Sequence, residues 1–151
     1  MNARNALVLA VIVIDAISAT GCGHVMMMAH GRKVSRPAIS EFGTGPRPSA
    51  ERQFTATLQP VQPLRPRRMQ TLRVEITDAA GSPVDNATIG IDGGMPEHGH
   101  GLPTRPRVTR ALGHGLYEIE GVRFNMRGWW EFKLAINAPS GADVVTFNLA
   151  L

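Results

Sequence analysis

Cysteine is almost absent from this sequence: Cys22 is the one in 151 residues. No disulfide can close within the chain, and a small secreted module held together by disulfides is excluded. Aromatic side chains are scarce too, with five Phe, two Trp and one Tyr, and no Lys-rich patch is interleaved with them. A stacking platform for nucleic acid is therefore not expected. The formal net charge of +4 does not argue otherwise, because residues 1–50 hold five of the 16 Lys and Arg against two of the 12 acids. That leaves the rest nearly neutral. Also missing is any apolar run of the roughly 20 residues needed to span a bilayer. No nucleophile–base spacing, phosphate-binding loop or paired catalytic carboxylates stand out, so the chain is not expected to be an enzyme.

What is present begins with an export pattern. Arg4 precedes the apolar run Ala6 to Ile14, which Asp15 interrupts, and small residues then lead to Cys22. That is the order of a secretory signal. Ala19-Thr20-Gly21-Cys22 resembles a bacterial lipoprotein processing box, departing from it at Ala19, where Leu, Val or Ile is usual. Residues 1–22 are thus expected to be a signal peptide or lipoprotein signal, with Cys22 as the lipidation site. The mature protein is expected in the periplasm or at the outer face of the membrane, tied to it through this N-terminal anchor.

Residues 23–50 read as a disordered linker. Pro37, Pro46 and Pro48 interrupt a stretch that has no period of 2 or 3.6, so it offers little apolar surface to bury. A tether of this kind gives the folded domain a reach of about 20 to 30 Å. Within it His24-Val25-Met26-Met27-Met28-Ala29-His30 forms a Met/His cluster, which would be a flexible copper-capturing arm if it binds metal, or accidental composition in a tether if it does not.

Residues 51–151 show short alternating segments bounded by Pro, Gly and Asp. They predict seven strands, A to G, over 53–58, 71–77, 84–91, 108–112, 116–122, 130–136 and 144–149. The expected fold is all-β, an immunoglobulin-like seven-stranded antiparallel sandwich following the N-terminal segment. Leu72, Val74 and Ile76 alternate with Arg73 and Glu75, and Tyr117, Ile119 and Gly121 with Glu118 and Glu120, giving each strand a core face and a wet face. If successive strands run antiparallel, the A–B, C–D and E–F connections share one end of the sandwich and the short B–C, D–E and F–G turns share the other. Of Trp129 and Trp130, alternation sends one into the core and leaves the other near the loop end.

The C–D connection carries the most distinctive run, Asp92-Gly93-Gly94-Met95-Pro96-Glu97-His98-Gly99-His100-Gly101-Leu102-Pro103-Thr104. His98 and His100 are two residues apart, so in extended chain both imidazoles point the same way with Cα atoms about 6 to 7 Å apart. Met95 adds a thioether, and strand direction brings Met126 to the same end, with Met69 a weaker candidate. Met95, His98, His100 and Met126 make a soft donor set suited to copper, above all Cu(I). The same residues also fit a loop that merely packs over the sandwich end, with methionines filling gaps and histidines bonded to carbonyls. A rim of arginines at that end, among them Arg65, Arg68, Arg105, Arg107 and Arg123, opposes a bare cation and favours an anionic partner.

The Met-Pro-Glu-His-Gly-His-Gly run, with Gly115-Leu116-Tyr117, Gly121-Val122-Arg123-Phe124-Asn125-Met126 and Gly128-Trp129-Trp130-Glu131, closely resembles the YtkA-like domain family, which overlaps the FixH-like group. The resemblance covers about residues 52–151. It implies a compact extracytoplasmic β-sandwich, often with a signal or lipid anchor, and for FixH-like members an association with cation handling and assembly of respiratory oxidases. The expected function is a metal-handling, copper-binding module whose partner is an oxidase-assembly or copper-trafficking component. The alternative is an interaction domain that docks an acidic partner without metal.

Overall fold

A computed structural model describes residues 34–151. The signal segment, Cys22 and the His24–His30 cluster lie outside the described residues. A short 3₁₀ turn, Ile39–Glu41, precedes nine strands: β1 Arg47–Pro48, β2 Phe54–Pro60, β3 Met69–Asp78, β4 Thr88–Met95, β5 His100–Gly101, β6 Arg107–Gly113, β7 Leu116–Arg123, β8 Trp129–Ala138 and β9 Gly141–Ala150. They form two antiparallel sheets, ordered β1-β2-β3-β7-β6 and β5-β4-β8-β9. With the expected letters assigned to β2, β3, β4, β6, β7, β8 and β9, the order is A-B-E-D facing C-F-G, the constant-type immunoglobulin arrangement. The two-residue strands β1 and β5 are additions at the edges.

The core lies between the sheets because each strand turns alternate apolar residues inward. Leu72, Val74 and Ile76 of β3 meet Phe132, Leu134 and Ile136 of β8 and Val145, Phe147 and Leu149 of β9 in one buried cluster. On β7 the expected alternation fails after Ile119. Gln70 pairs with Val122 but Leu72 with Ile119, so β7 carries an extra residue there. The bulge shifts the phase of the strand, and Val122 rather than Gly121 enters the core. Glu118 does face outward as expected, yet it is buried beneath the guanidinium groups of Arg73 and Arg110. The Arg110 hydrogen bond, with Arg73 assisting, holds its carboxyl below the usual carboxylate range despite the opposing cost of burial. Strand C also starts later and runs further than expected: Val84 sits in the preceding loop, and β4 continues to Met95.

The linker expectation is corrected over residues 34–50. Phe42 bridges Asn148 in parallel, the Gly43 N–H donates to the Asn148 carbonyl at 2.9 Å, and the Leu58 N–H donates to Thr44 at 2.9 Å. β1 pairs with β2. This strap runs along the edge strands β2 and β9, one from each sheet, and satisfies backbone groups that open edges would leave to solvent. It also settles the tryptophans. Trp130 points into the core, whereas Trp129 points to the outer face and is nevertheless buried. Phe42 stands edge-on to it at 6.4 Å, and its indole N–H donates to Asn148 at 2.9 Å. The folded unit thus begins upstream of residue 51. Its residues signal no periodicity because they cover an edge and a single side chain rather than forming a regular element.

Candidate functional site: a histidine hairpin at the arginine-rich end

Strand direction assigns the connections to the ends as expected. The β2–β3 loop meets the β7–β8 loop, the Arg67 N–H donating to the Phe124 carbonyl at 2.6 Å. A cavity of about 430 Å³ is lined by Met69 together with Thr104, Arg105, Arg107, Glu120 and Gly121. These loops and the histidine hairpin make up the upper end. His114 sits in the β6–β7 turn at the opposite, lower end, where the neighbouring Gly115 carbonyl accepts from Ile76.

The hairpin is built by β4 and β5, with Met95 opposite His100 and Gly94 opposite Gly101. Between them the Met95 carbonyl accepts from the N–H groups of both His98, at 3.0 Å, and Gly99, at 2.9 Å. Pro96 presets the backbone at the start of the turn, and Gly99 takes a left-handed φ of 67° that a side chain would disfavour. The expected extended run through His98 and His100 is therefore corrected: His98 lies in the turn and His100 in the returning strand. The imidazoles still come together, with centroids 5.8 Å apart. Two imidazoles bound through nitrogen to one metal at about 2.0–2.1 Å would have centroids roughly 5 to 6.3 Å apart, so the spacing is compatible with a shared ion.

Beneath the pair, rings continue into the core. His100 lies edge-on to Trp130 at 6.0 Å, Trp130 to Phe124 at 5.2 Å, and Phe124 to Phe132 at 6.4 Å. The Trp130 indole N–H donates to the Met126 carbonyl at 3.1 Å. One buried residue therefore touches both the histidine hairpin and the loop that carries Met126. Met126 is 38% exposed, whereas Met95 is 1% exposed. As Cα partners in an antiparallel pair, Met95 and His100 leave the sheet on the same face. Met95, however, belongs to the core cluster, and its methyl ends against Gly128, where an added Cβ would stand 2.7 Å away. The structure thus places three of the four proposed donors, His98, His100 and Met126, at the surface and turns the fourth inward as the floor beneath them. Met69 is exposed, on the arginine-lined side of the same end. Among the described residues no three His, Cys, Asp or Glu side chains group together to hold a metal ion. A set completed by thioether sulfur would be soft.

The YtkA-like family profile matches residues 49–135, from the turn ahead of β2 into β8. The chain belongs to the YtkA-like family. The match includes the histidine hairpin, Trp130 and Met126. No curated protein matches the chain, and no solved structure matches it.

Sequence reasoning missed Trp130 as the residue joining the two halves of the site. Its only signal was the Trp129-Trp130 pair at the start of a strand. Thr104 was missed as well: its hydroxyl oxygen is buried without a hydrogen-bond partner in the described residues. No sequence pattern marks such an atom, because its burial depends on packing that local sequence does not report.

Proposed function

We propose that this YtkA-like protein is an extracytoplasmic copper-handling module that holds Cu(I) between His98 and His100 with Met126 as a third donor. The observation that carries this reading is the 5.8 Å separation of two exposed imidazoles on one hairpin, beside the loop that presents a partly exposed methionine. Two imidazoles and a thioether are neutral donors. They suit a monovalent soft ion in low coordination and lose less to the surrounding arginines than carboxylates binding a divalent ion would. Met95 supports the hairpin from below. An open, solvent-facing site of this kind suits capture and transfer better than permanent storage, which fits a partner among copper-trafficking or oxidase-assembly components.

The test is Cu(I) titration of the purified protein against a chromogenic competitor, followed in parallel by tryptophan emission, since His100 stands against Trp130. Submicromolar binding that disappears in the His98→Ala, His100→Ala double variant is expected. Binding no tighter than micromolar, or an unaffected double variant, sinks the copper reading.

A further inference from the structure

The upper end carries a second feature that metal binding does not use. Loops 61–68, 96–106 and 124–128 contain Arg65, Arg67, Arg68, Arg105 and Arg127, with Glu97 as their one acidic residue. All five arginines are exposed, and none forms an ion pair among the described residues. Arg105 and Arg107 flank the cavity that contains Glu120 and the buried, unpartnered Thr104 hydroxyl. Arg65 and Arg68 line an adjoining cavity that shares Met69. Between the arginines stand a few apolar side chains, Val61 at 53% exposure beside Met69 at 63%, and Met126.

The strap adds direction. Arg36, Pro37, Ile39 and Phe42 lie around Ala150, the Cα partner of Trp129 at the start of β8. The chain therefore enters the folded unit at the upper end, and Ile39, 92% exposed, stands there too. An N-terminal membrane anchor, as expected from the sequence, would be joined to the folded unit at this end.

We propose that the upper end docks on an anionic lipid surface, with guanidinium groups taking headgroup phosphates and the exposed apolar side chains entering the interface. Guanidinium matches phosphate through paired N–H donors, and basic residues interspersed with apolar ones are the composition of surfaces that bind anionic membranes. Cavities flanked by Arg105 and Arg107 and by Arg65 and Arg68 supply recesses for headgroups. An acidic protein is less well served, since the exposed apolar side chains, Val61 with Met69 around one small recess and Met126 on the β7–β8 loop, stand among arginines, while the centre of a protein interface is depleted of charge. Docking of this kind turns the His98–His100 hairpin toward the bilayer surface. It is independent of whether that hairpin holds copper.

Hydrogen exchange of the full-length protein on vesicles reads this directly. With phosphatidylglycerol in phosphatidylcholine vesicles, loops 61–68, 102–106 and 124–128 are expected to exchange several-fold more slowly, and loops 79–87 and 139–140 to be unchanged. Phosphatidylcholine alone should leave both sets unchanged. The variant Arg65→Gln, Arg68→Gln, Arg105→Gln, Arg107→Gln should lose the protection and bind anionic vesicles at least about tenfold more weakly. If near-ultraviolet dichroism shows that this variant has not folded, Arg65→Gln with Arg68→Gln should lose part of it. Equal protection on neutral vesicles, protection of the lower loops, or an unaffected folded variant overturns the proposal. So does protection by polyglutamate without vesicle protection, which points to an acidic protein, or equal protection by inorganic phosphate, which points to a small-anion site.

Discussion

The two ends of this sandwich are built from loops of opposite character. At the lower end the acids are spent on backbone. Asp78 accepts from the N–H groups of Ala80 and Ser82, Asp85 from Gly115, and Asp143 from Glu51, Gln53 and Val144. The Tyr117 hydroxyl donates to the Val84 carbonyl and accepts from Ala87. At the upper end the Gln70 side chain accepts from the Arg65 N–H and donates to the Arg65 and Arg68 carbonyls, and Arg67 donates to the Asn125 carbonyl, while the neighbouring guanidinium groups are exposed and a ring stack rises from Phe132 to His98. Each lower polar group satisfies a donor or acceptor that folding would otherwise leave unpaired. The guanidinium groups of Arg65, Arg68, Arg105 and Arg127 form no ion pair among the described residues, so their presence there is not explained by stability, and it is there that binding is sought.

The sharpest way to break the contrast is through Trp130, where the upper end joins the core. Trp130→Ala should cost about 3 to 5 kcal/mol by cavity formation, read as a lower denaturant midpoint, and should loosen the histidine hairpin at once. A variant of near wild-type stability would mean the stack does not support the upper end.

Next in size is the lower clasp. Hydrogen bonds from Ser49 first, then from the Val144, Glu51 and Gln53 backbone, hold Asp143 below the usual carboxylate range against the cost of burial, and Glu118 is depressed in the same direction. A carboxylate with a lowered folded pKa contributes stability that is fully present above its unfolded value, about 4. That contribution is lost as pH falls through the lower folded value. The domain should therefore hold its stability at neutral pH and weaken in acid below about pH 4. Asp143→Asn should lower the midpoint at neutral pH and flatten the acid limb of a stability profile. A parallel profile would remove Asp143 from this role.

A smaller effect is expected from the strap. Phe42→Ala should cost about 1 to 2 kcal/mol, because it removes an edge-on aromatic contact and uncovers part of Trp129. A red shift of tryptophan emission in the native state is the accompanying sign, and its absence would show that another group covers the ring.

The smallest effect on stability, and the largest on binding, belongs to the hairpin. His98→Ala with His100→Ala should change stability by no more than about 1 kcal/mol while abolishing Cu(I) binding. Met126→Ala should weaken that binding without abolishing it. Acidification should weaken it as well, because protons and metal compete for the same imidazole nitrogens. A large loss of stability in the double-histidine variant would return the hairpin to a purely packing role.

Much of this was legible in the residues themselves. Alternation in Leu72-Arg73-Val74-Glu75-Ile76 named a half-buried strand because side chains on a pleated chain must alternate faces. Antiparallel succession placed His98, Met126 and Arg105 at one end without any coordinates, since short connections leave no other choice. The His-Gly-His spacing marked the two imidazoles as neighbours, although the hairpin that brings them together was read as extended chain. What the residues did not determine is where separate segments meet. The burial of Met95, the strap over Trp129, the extra β7 residue that sends Val122 inward, the burial of Glu118 between two arginines and the unpartnered Thr104 hydroxyl all depend on contacts between positions far apart in the chain. Local pattern reports which face a side chain takes, whereas only the packed sheets decide what stands opposite it.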